Sequence, residues 1–239
     1  MIRIGTAGWT LPRANADSFP AGGTGLERYA SRFNAAEINS SFHRPHRAST
    51  WARWGESVPD GFRFSAKLPK SITHQAKLVD CEPLLDGFLS EAGALGDKLA
   101  VLLVQLPPKL AFDAEVAGAF LAALGKRSVA RIACEPRHPS WFDPDAGDFL
   151  AERSVARVGA DPAVVPNAAA PGGWPGLAYI RLHGSPRMYR SSYADRLGSY
   201  ASQLLAANKA GAEAWCMFDN TASSAATGDA LALQAMLAS

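Results

Sequence analysis

Short runs of apolar and β-branched residues alternate along the chain with longer Ala- and Leu-rich segments, in which apolar residues recur every three or four positions. The short runs predict eight strands, at residues 2–4, 35–38, 62–66, 99–104, 131–134, 155–158, 177–182 and 214–218. The longer segments predict helices at residues 26–32, 50–57, 82–95, 113–124, 145–153, 196–207 and 225–237. Ser49, Thr50, Asp113 and Asp143 are suited to start three of these helices.

The predicted strands begin about 30 residues apart, which is the length of a strand, a loop and a crossover helix. Eight such units in 239 residues predict a single (β/α)8 TIM-barrel-like domain that spans residues 1–239. An open doubly wound sheet is the alternative, but no GxGxxG turn follows the first strand. Segment 159–176 is rich in Pro and Gly, so we expect a loop or one irregular turn after the sixth strand.

Composition narrows the class of protein. Hydrophobic residues make up 48% of the chain, and 24 Lys and Arg against 22 Asp and Glu give a net charge of +2. These values exclude a disordered chain and a nucleic-acid-binding domain that works through bulk charge. Segment 99–104, the longest apolar run, is too short for a membrane span, and we detect no signal peptide. The three cysteines form no CxxC pair, and we expect a cytoplasmic location.

Polar residues follow nearly every predicted strand. In a (β/α)8 barrel, the C-terminal strand ends and their loops form the face that carries the active site. The catalytic set is predicted to be Glu37, Lys67, Glu135, His183 and Asp219. The substrate-binding set is predicted to be Trp9, Asn39, His74, Gln105, Arg137, His138, Arg181, Tyr189 and Asn220. Buried charges must pair with one another or with a ligand, so the same residues would also fit a purely structural ion-pair network.

Two loops on the same predicted face are basic. Segments 43–53 and 181–190 each contain three arginines and no acidic residue, and aromatic residues such as Trp51 and Tyr189 lie among the arginines or nearby. Guanidinium groups suit phosphate or carboxylate, and aromatic faces suit rings. The pattern therefore favours an anionic substrate that carries phosphate or carboxylate.

The leading hypothesis is an enzyme at the C-terminal mouth of the barrel. Glu37 or Glu135 would act as general base or acid, tuned by Lys67 and Arg137. Arg181, Arg137 and His183 would hold the anionic group, while Asp219 would orient His183. A hydrolase, an isomerase and a lyase all fit this set.

Other functions remain open. A non-catalytic nucleic-acid or polyanion binding module would use the basic loops alone and would bind in a salt-dependent way. A divalent-metal-dependent hydrolase or isomerase would use Glu37, Glu135, His183 and Asp219, although no HxH or HExxH motif is present. Lys67 would form a Schiff base if its pKa were depressed, or it would neutralise Glu37. No motif for an organic cofactor is present, and the oligomeric state is not predicted.

Seven stretches of the chain resemble a known family. They are IGTAGW (4–9), EINSSFHRPH (37–46), FRFSAKLPKSITH (62–74), KLAVLLVQLPP (98–108), CEPRHPSW (134–141), IRLHGS (180–185) with MYRSSY (188–193), and FDNTASSAA (218–226). The chain resembles the YecE-like family, domain of unknown function 72. The resemblance implies a (β/α)8-barrel-like fold and no particular reaction. It implies that the predicted site residues are shared by the family, except Gln105 and Tyr189. His43 stands where the family often has tyrosine, and Asp229 lies where an asparagine is usual.

Overall fold

The computed structural model describes residues 1–238 as alternating strands and helices. The strands are β1 (Ile2–Thr6), β2 (Ala35–Ile38), β3 (Arg63–Lys67), β4 (Leu99–Gln105), β5 (Arg131–Glu135), β6 (Val155–Arg157), β7 (Gly159–Asp161), β8 (Gly172–Gly173), β9 (Leu177–Leu182) and β10 (Glu213–Phe218). The α-helices are α1 (Gly25–Ala30), α2 (Ala48–Glu56), α3 (Glu82–Ala92), α4 (Ala114–Gly125), α5 (Pro144–Glu152), α6 (Leu197–Lys209) and α7 (Ala225–Ala238). The predicted alternation of strands and helices is confirmed, and the fold is mixed α/β.

The strands form two sheets. One has the order β2-β3-β4-β5-β6-β8, and the other has the order β1-β10-β9-β7. Every pair is parallel except β6 with β8. A single parallel bridge between Ala7 and Glu37 joins the start of one sheet to the other, and only Val158 separates β6 from β7. Because neighbouring strands are parallel and joined by helices, their carboxyl ends collect on one side of the fold.

The core has two layers, and successive residues of a strand alternate between them. Val101 and Leu103 of β4 belong to a small inner cluster of strand residues, whereas Leu102 and Val104 pack in the larger cluster beneath the helices. Both faces of β4 are therefore buried, which explains why this strand is a continuous apolar run rather than an alternating pattern. In the inner cluster, Tyr179 and Trp215 stack with ring centroids 5.7 Å apart.

Segment 159–176 corrects the expectation of a loop or one irregular turn. It contains β7, a 3-10 helix at Pro166–Ala169, and β8. A Cβ on Gly173 would lie 2.6 Å from the Val155 carbonyl oxygen, and the φ angle of Gly173 is +65°. The returning chain therefore packs against β6 through glycine backbone. Strand pairing of this kind leaves no hydrophobic pattern in the sequence.

The helix starts were predicted in part. Asp113 caps α4 by accepting hydrogen bonds of 3.0 Å from the backbone N–H groups of Glu115 and Val116. Ser49 and Thr50 do not cap α2, which begins earlier, after Arg47. Asp143 precedes α5, but its side chain makes no capping hydrogen bond. No helix within residues 1–238 is long and apolar enough to cross a membrane.

Candidate functional site

Arg181 of β9 lies at the centre of a buried group of charges. Its Nε and Nη2 atoms donate to the two carboxylate oxygens of Glu37 over 2.9 and 2.5 Å. Its Nη1 donates to Glu135 over 2.6 Å, and Nη2 also reaches Asp219 at 3.2 Å. Glu37 and Glu135 are fully buried and Arg181 is 1% exposed. These four residues and His183, together termed the Arg181 cluster, bring all the predicted catalytic residues except Lys67 into direct contact.

Burial opposes the ionisation of Glu135, Asp219 and Arg181. For Glu135 and Asp219, the adjacent Arg181 guanidinium outweighs burial and holds the pKa of each carboxyl below its ordinary value. The same carboxylates outweigh burial at Arg181 and raise its pKa well above the ordinary value. Glu135 and Asp219 are therefore ionised at neutral pH, and Arg181 is a permanent cation. Because all three of its nitrogens contact carboxylates, Arg181 serves here as their shared counter-ion.

His183 is held from both sides of its ring. Its Nδ1 lies 2.9 Å from Asp219 Oδ2, and because an ionised carboxylate can only accept, Nδ1 is the donor. Its Nε2 lies 3.0 Å from Glu135 Oε1 and 2.8 Å from Arg137 Nη2. Nε2 therefore faces both an acceptor and a donor, and it can hold or release a proton without a change in ring position. This geometry matches the expected orientation of His183 by Asp219.

Tyr179 belongs to the same face of β9, although the sequence analysis did not select it. Its hydroxyl donates to Glu37 over 3.0 Å and lies 2.7 Å from the hydroxyl of Ser65. Burial, followed by the charge of Glu37, raises the pKa of this phenol well above its ordinary value. Tyr179 and Arg181 of β9 and His183, which follows it, are two residues apart and so lie on one face of the strand. This two-residue period is the signal in the sequence that would have found Tyr179.

Lys67, at the end of β3, is buried without an ion pair. Glu37 forms its salt bridge with Arg181 and not with Lys67, and within residues 1–238 the Lys67 amine instead lies 4.0 Å from the centroid of the Phe42 ring. Burial, followed by the charge of Arg181, lowers the pKa of Lys67 to about 8. At 1.36 kcal/mol per pKa unit, holding the protonated amine here costs on the order of 3 kcal/mol below pH 8. Lys67 therefore occupies a position that reduces the stability of the fold, which is typical of functional residues.

His74 flanks the other side of the Phe42 ring. It lies on a π-helical turn, Ser71–Gln75, and its ring centroid is 5.0 Å from that of Phe42. Its Nδ1 is 2.8 Å from the Thr73 hydroxyl. Burial, followed by the charges of Lys67 and Lys70, lowers the pKa of His74, which is therefore neutral above pH 7. The structure thus brings His74 and Lys67 together around an aromatic ring that the sequence analysis missed.

Several buried polar atoms at the strand ends have no partner. Within residues 1–238, five buried side-chain nitrogen or oxygen atoms make no hydrogen bond, and three of the five belong to predicted site residues. These three are Asn39 Oδ1, Arg137 Nε and Asn220 Oδ1. More than 90% of buried polar groups in native proteins are paired, so each of these three atoms, which lie in segments that follow strands, is a candidate contact for a ligand. Two acceptors and one donor are available here.

Tyr189 and Asn220 lie close to His183 and to each other's loops. The Tyr189 ring is edge-on to His183 at 6.1 Å, the residue is 46% exposed, and its φ angle is +63°. Asn220 is fully buried, and its amide donates to Ser191 O and to Asp229 over 2.9 and 2.7 Å. Asp229, which was noted only as a departure from the family pattern, therefore fixes the loop that carries Tyr189.

Four aromatic residues in or near the segments that follow the strands do not face solvent. Trp51, Trp141, Phe142 and Tyr193 are all buried in the core. The indole N–H of Trp141 donates a hydrogen bond to the Leu110 carbonyl over 3.0 Å. These side chains therefore stabilise the loops from beneath. Among the loop aromatics, Tyr189 keeps an exposed ring.

Gln105 and His138 make local contacts. The Gln105 amide donates to the Leu106 carbonyl over 3.2 Å. The His138 ring accepts from the backbone N–H of Ser140 over 3.3 Å, and so begins the 3-10 helix Pro139–Phe142. Neither side chain contacts the Arg181 cluster, so the structure does not bring these two predicted residues together with the others.

The same carboxylates were the candidate ligands for a divalent metal. Within residues 1–238, no three His, Cys, Asp or Glu side chains are arranged to hold an ion. The guanidinium of Arg181 lies among the carboxylates of Glu37, Glu135 and Asp219, at the position that a cation would take. The residues present do not fit a metal centre, and we derive no step through one.

The chain is similar in sequence to two UPF0759 proteins. It is 36% identical over 107 residues to UPF0759 protein YecE of Escherichia coli (strain K12), which covers 45% of this chain and 38% of that protein. It is 30% identical over 152 residues to UPF0759 protein YunF of Bacillus subtilis (strain 168), which covers 60% and 53%. The matched segments thus span about half or less of these relatives.

The fold is likewise similar to that of solved structures. A DUF72 family protein from Thermotoga maritima MSB8 superposes over 100% of both chains with a TM-score of 0.81, at 21% sequence identity. A DUF72 family protein from Enterococcus faecalis V583 gives a TM-score of 0.80 at 23% identity, over 100% of this chain and 96% of that one. The family model described as "Protein of unknown function DUF72" matches residues 3–239. The chain therefore belongs to the DUF72 family.

Proposed function

We propose that the two sheets form one closed ring of strands, a (β/α)8-barrel-like domain spanning the whole chain. Two contacts support this proposal. The bridge from Ala7 to Glu37 links β1 to β2, and Val158, between β6 and β7, donates its backbone N–H to Cys134 of β5 over 2.8 Å. In such a ring the Arg181 cluster lies at the C-terminal mouth, where barrel enzymes carry their active sites.

We propose that the protein is an enzyme that binds a small molecule bearing phosphate or carboxylate beside Lys67. The observation that carries this proposal is the buried Lys67 amine, which forms no ion pair within residues 1–238, although three carboxylates lie in the neighbouring cluster. Those carboxylates form their ion pairs with Arg181 and Arg137 rather than with Lys67, so the Lys67 amine keeps its N–H donors for an anion. A bound anion would restore the stability that the buried amine removes.

The roles follow from the contacts. Lys67 and the unpartnered Nε of Arg137 would bind the anionic group. His183, oriented by Asp219, would carry a proton at Nε2 to or from the substrate. Arg181 would hold the carboxylates in place and would not touch the substrate. This arrangement supports a reaction that proceeds by proton transfer, as hydrolases, isomerases and lyases all do.

The anion site is tested by comparing the anion affinities of two variants, one at Lys67 and one at the nearby Lys70. We expect ribose 5-phosphate or citrate to raise the unfolding temperature of the wild-type protein by mass action. Lys67→Met should weaken the binding of the responding anion at least about tenfold, because a charge-assisted contact is lost. Lys70→Met, which removes an exposed lysine three residues away, should leave binding unchanged. Thermal unfolding measured across anion concentrations gives the affinities.

The unliganded variant supplies a control for folding. Lys67→Met without ligand should unfold at a higher temperature than the wild type, because the uncompensated buried charge is gone. An anion response that is equal in Lys67→Met and in the wild type would contradict the proposal. The absence of any response to either anion would contradict it as well.

A second candidate function rests on the exposed arginines. Arg44 and Arg47 follow β2, Arg187 and Arg190 follow β9, and all four are exposed and form no ion pair within residues 1–238. With the exposed Tyr189 ring, they would suit a polyanion such as single-stranded nucleic acid.

The salt dependence of binding tests this second function. If a single-stranded oligonucleotide binds, log K should fall linearly with log salt, and Arg187→Ser with Arg190→Ser should reduce the slope by roughly 1.4, at 0.7 per phosphate contact. Arg32→Ser, on the loop before β2 at the opposite end of the strands, is the matched control. Fluorescence anisotropy measures both quantities, and an unchanged slope in the double variant would dismiss this candidate.

A further inference from the structure

A pocket opens between the segments that follow β1 and β2. It has a volume of about 360 Å³, and its lining includes Ala7, Gly8, Trp9 and Asn39. Gly8 has a φ angle of +77°, and a Cβ built on it would meet no atom within 4 Å, so one side of the pocket is bare backbone. Trp9 supplies an aromatic wall. The pocket, termed the Trp9–Asn39 pocket, is therefore of a size and shape that suit a flat ring.

The polar edge of this pocket is the carboxamide of Asn39. Asn39 precedes the 3-10 helix Ser40–Phe42, a position at which an asparagine normally caps the helix with its side-chain oxygen. Here the side chain makes no capping hydrogen bond, and its Oδ1 is buried without a partner. A buried carbonyl oxygen left unpaired is unfavourable, and an N–H donor from a ligand would pair this atom.

The register of the strands places Asn39 next to Lys67. Ile38 of β2 pairs with Ala66 of β3, and Asn39 and Lys67 are the residues that follow each of them. A ligand whose anionic group contacts Lys67 would therefore extend directly to the Asn39 carboxamide. The remaining part of that ligand must offer an N–H donor to Oδ1 and a flat face to Trp9.

We propose that the Trp9–Asn39 pocket binds a planar heteroaromatic ring that carries an amino group next to a ring nitrogen, as in an adenine nucleotide. Asn39 Oδ1 accepts from the amino group, and its amide N–H donates to the ring nitrogen, which is the pairing that asparagine makes with adenine. The inference rests on the proposed function, because the phosphate of the same molecule occupies the anion site at Lys67. The substrate class is then a nucleoside monophosphate with an amino-substituted base.

Titration calorimetry with three probes separates this inference from the proposed function. Adenosine 5′-monophosphate should bind the wild-type protein at least about tenfold more tightly than ribose 5-phosphate. It should exceed inosine 5′-monophosphate by a similar factor, because on the N7 edge of the base, which Asn39 reads in adenine, an oxygen replaces the amino group and leaves Asn39 Oδ1 unpaired. Asn39→Leu should reduce the affinity for adenosine 5′-monophosphate to that for ribose 5-phosphate. Asn167→Leu, which replaces an exposed asparagine elsewhere in the chain, should leave this affinity unchanged.

Each alternative result has a definite meaning. Equal affinity of the wild type for the adenosine nucleotide and ribose 5-phosphate overturns the ring pocket and leaves the anion site supported. Binding of neither probe overturns both. A preference for the adenosine nucleotide that survives in Asn39→Leu overturns the role of Asn39. If Asn39→Leu does not fold, the comparison of adenosine and inosine nucleotides on the wild type decides the matter alone.

Discussion

Replacing Arg181 with methionine should lower the free energy of unfolding by about 3–5 kcal/mol, the cost of leaving buried charge without its partner. Methionine fills a similar volume but removes the one cation that contacts Glu37, Glu135 and Asp219 together. Urea unfolding followed by circular dichroism measures the loss. The matched control is Arg127→Met, which breaks an exposed pair with Asp86 and should leave the free energy of unfolding nearly unchanged.

The response to acid identifies the cause of this loss. In the wild type, Glu135 and Asp219 have folded-state pKa values below those of the unfolded chain. They therefore add stability above pH values of about 4, and this stability is lost as the pH falls toward their folded pKa values. Without Arg181, burial dominates and raises both pKa values, so acid should destabilise Arg181→Met less than the wild type. A variant as stable as Arg127→Met, with unchanged acid sensitivity, would show that the cluster does not depend on Arg181. If Arg181→Met does not fold while Arg127→Met does, the loss in the free energy of unfolding exceeds the stability of the protein, which agrees with the prediction.

The sequence was most informative about the strands and their ends. Strands β2 and β9 have the predicted bounds, because both faces of these parallel strands are buried and most of their residues are apolar. β8 could not be predicted, since it pairs through two glycines and buries no side chain that would mark it. The start of α2 was likewise not predicted, because no side chain caps this helix and so no capping residue marks its start in the sequence.

Predicting the arrangement of the site required knowledge of which charged side chains form ion pairs with one another. The residues at the strand ends followed from the barrel hypothesis, but spacing along the chain does not tell whether Arg181 or Lys67 reaches Glu37. That choice depends on side-chain lengths and on the positions of β2, β3 and β9 around the sheet edges. Lys67 was expected either to form a Schiff base or to neutralise Glu37, and its amine lies against Phe42 without a salt bridge to Glu37. The difference matters, because a lysine without a salt bridge keeps its N–H donors for a ligand.

The isolation of Lys67 predicts how anion binding depends on pH. Its pKa of about 8 means that the protonated amine disappears above pH 8 in the free protein. If the anion requires that proton, its affinity should fall about tenfold per pH unit above pH 8, or about 100-fold by pH 10. The second ionisation of a phosphate ester lies near 6, so ribose 5-phosphate keeps its charge throughout this range. His74 is already neutral there, and Arg181 remains charged.

The matched variant for this profile is Lys67→Arg, which stays protonated at every pH tested and should give a flat profile between pH 7 and 10. The stability of the unliganded wild type should move in the opposite direction from its affinity. Because the folded pKa of Lys67 is depressed, the unfolded chain binds more protons between pH 8 and about 10.4, so the free energy of unfolding should rise with pH across that window. Calorimetric titrations and urea unfolding at matched pH values test both trends. An affinity of the wild type that does not change with pH would show that Lys67 is not part of the anion site. An affinity that falls with pH while the free energy of unfolding rises is the expected result, because both trends follow from the loss of one proton by the same buried amine.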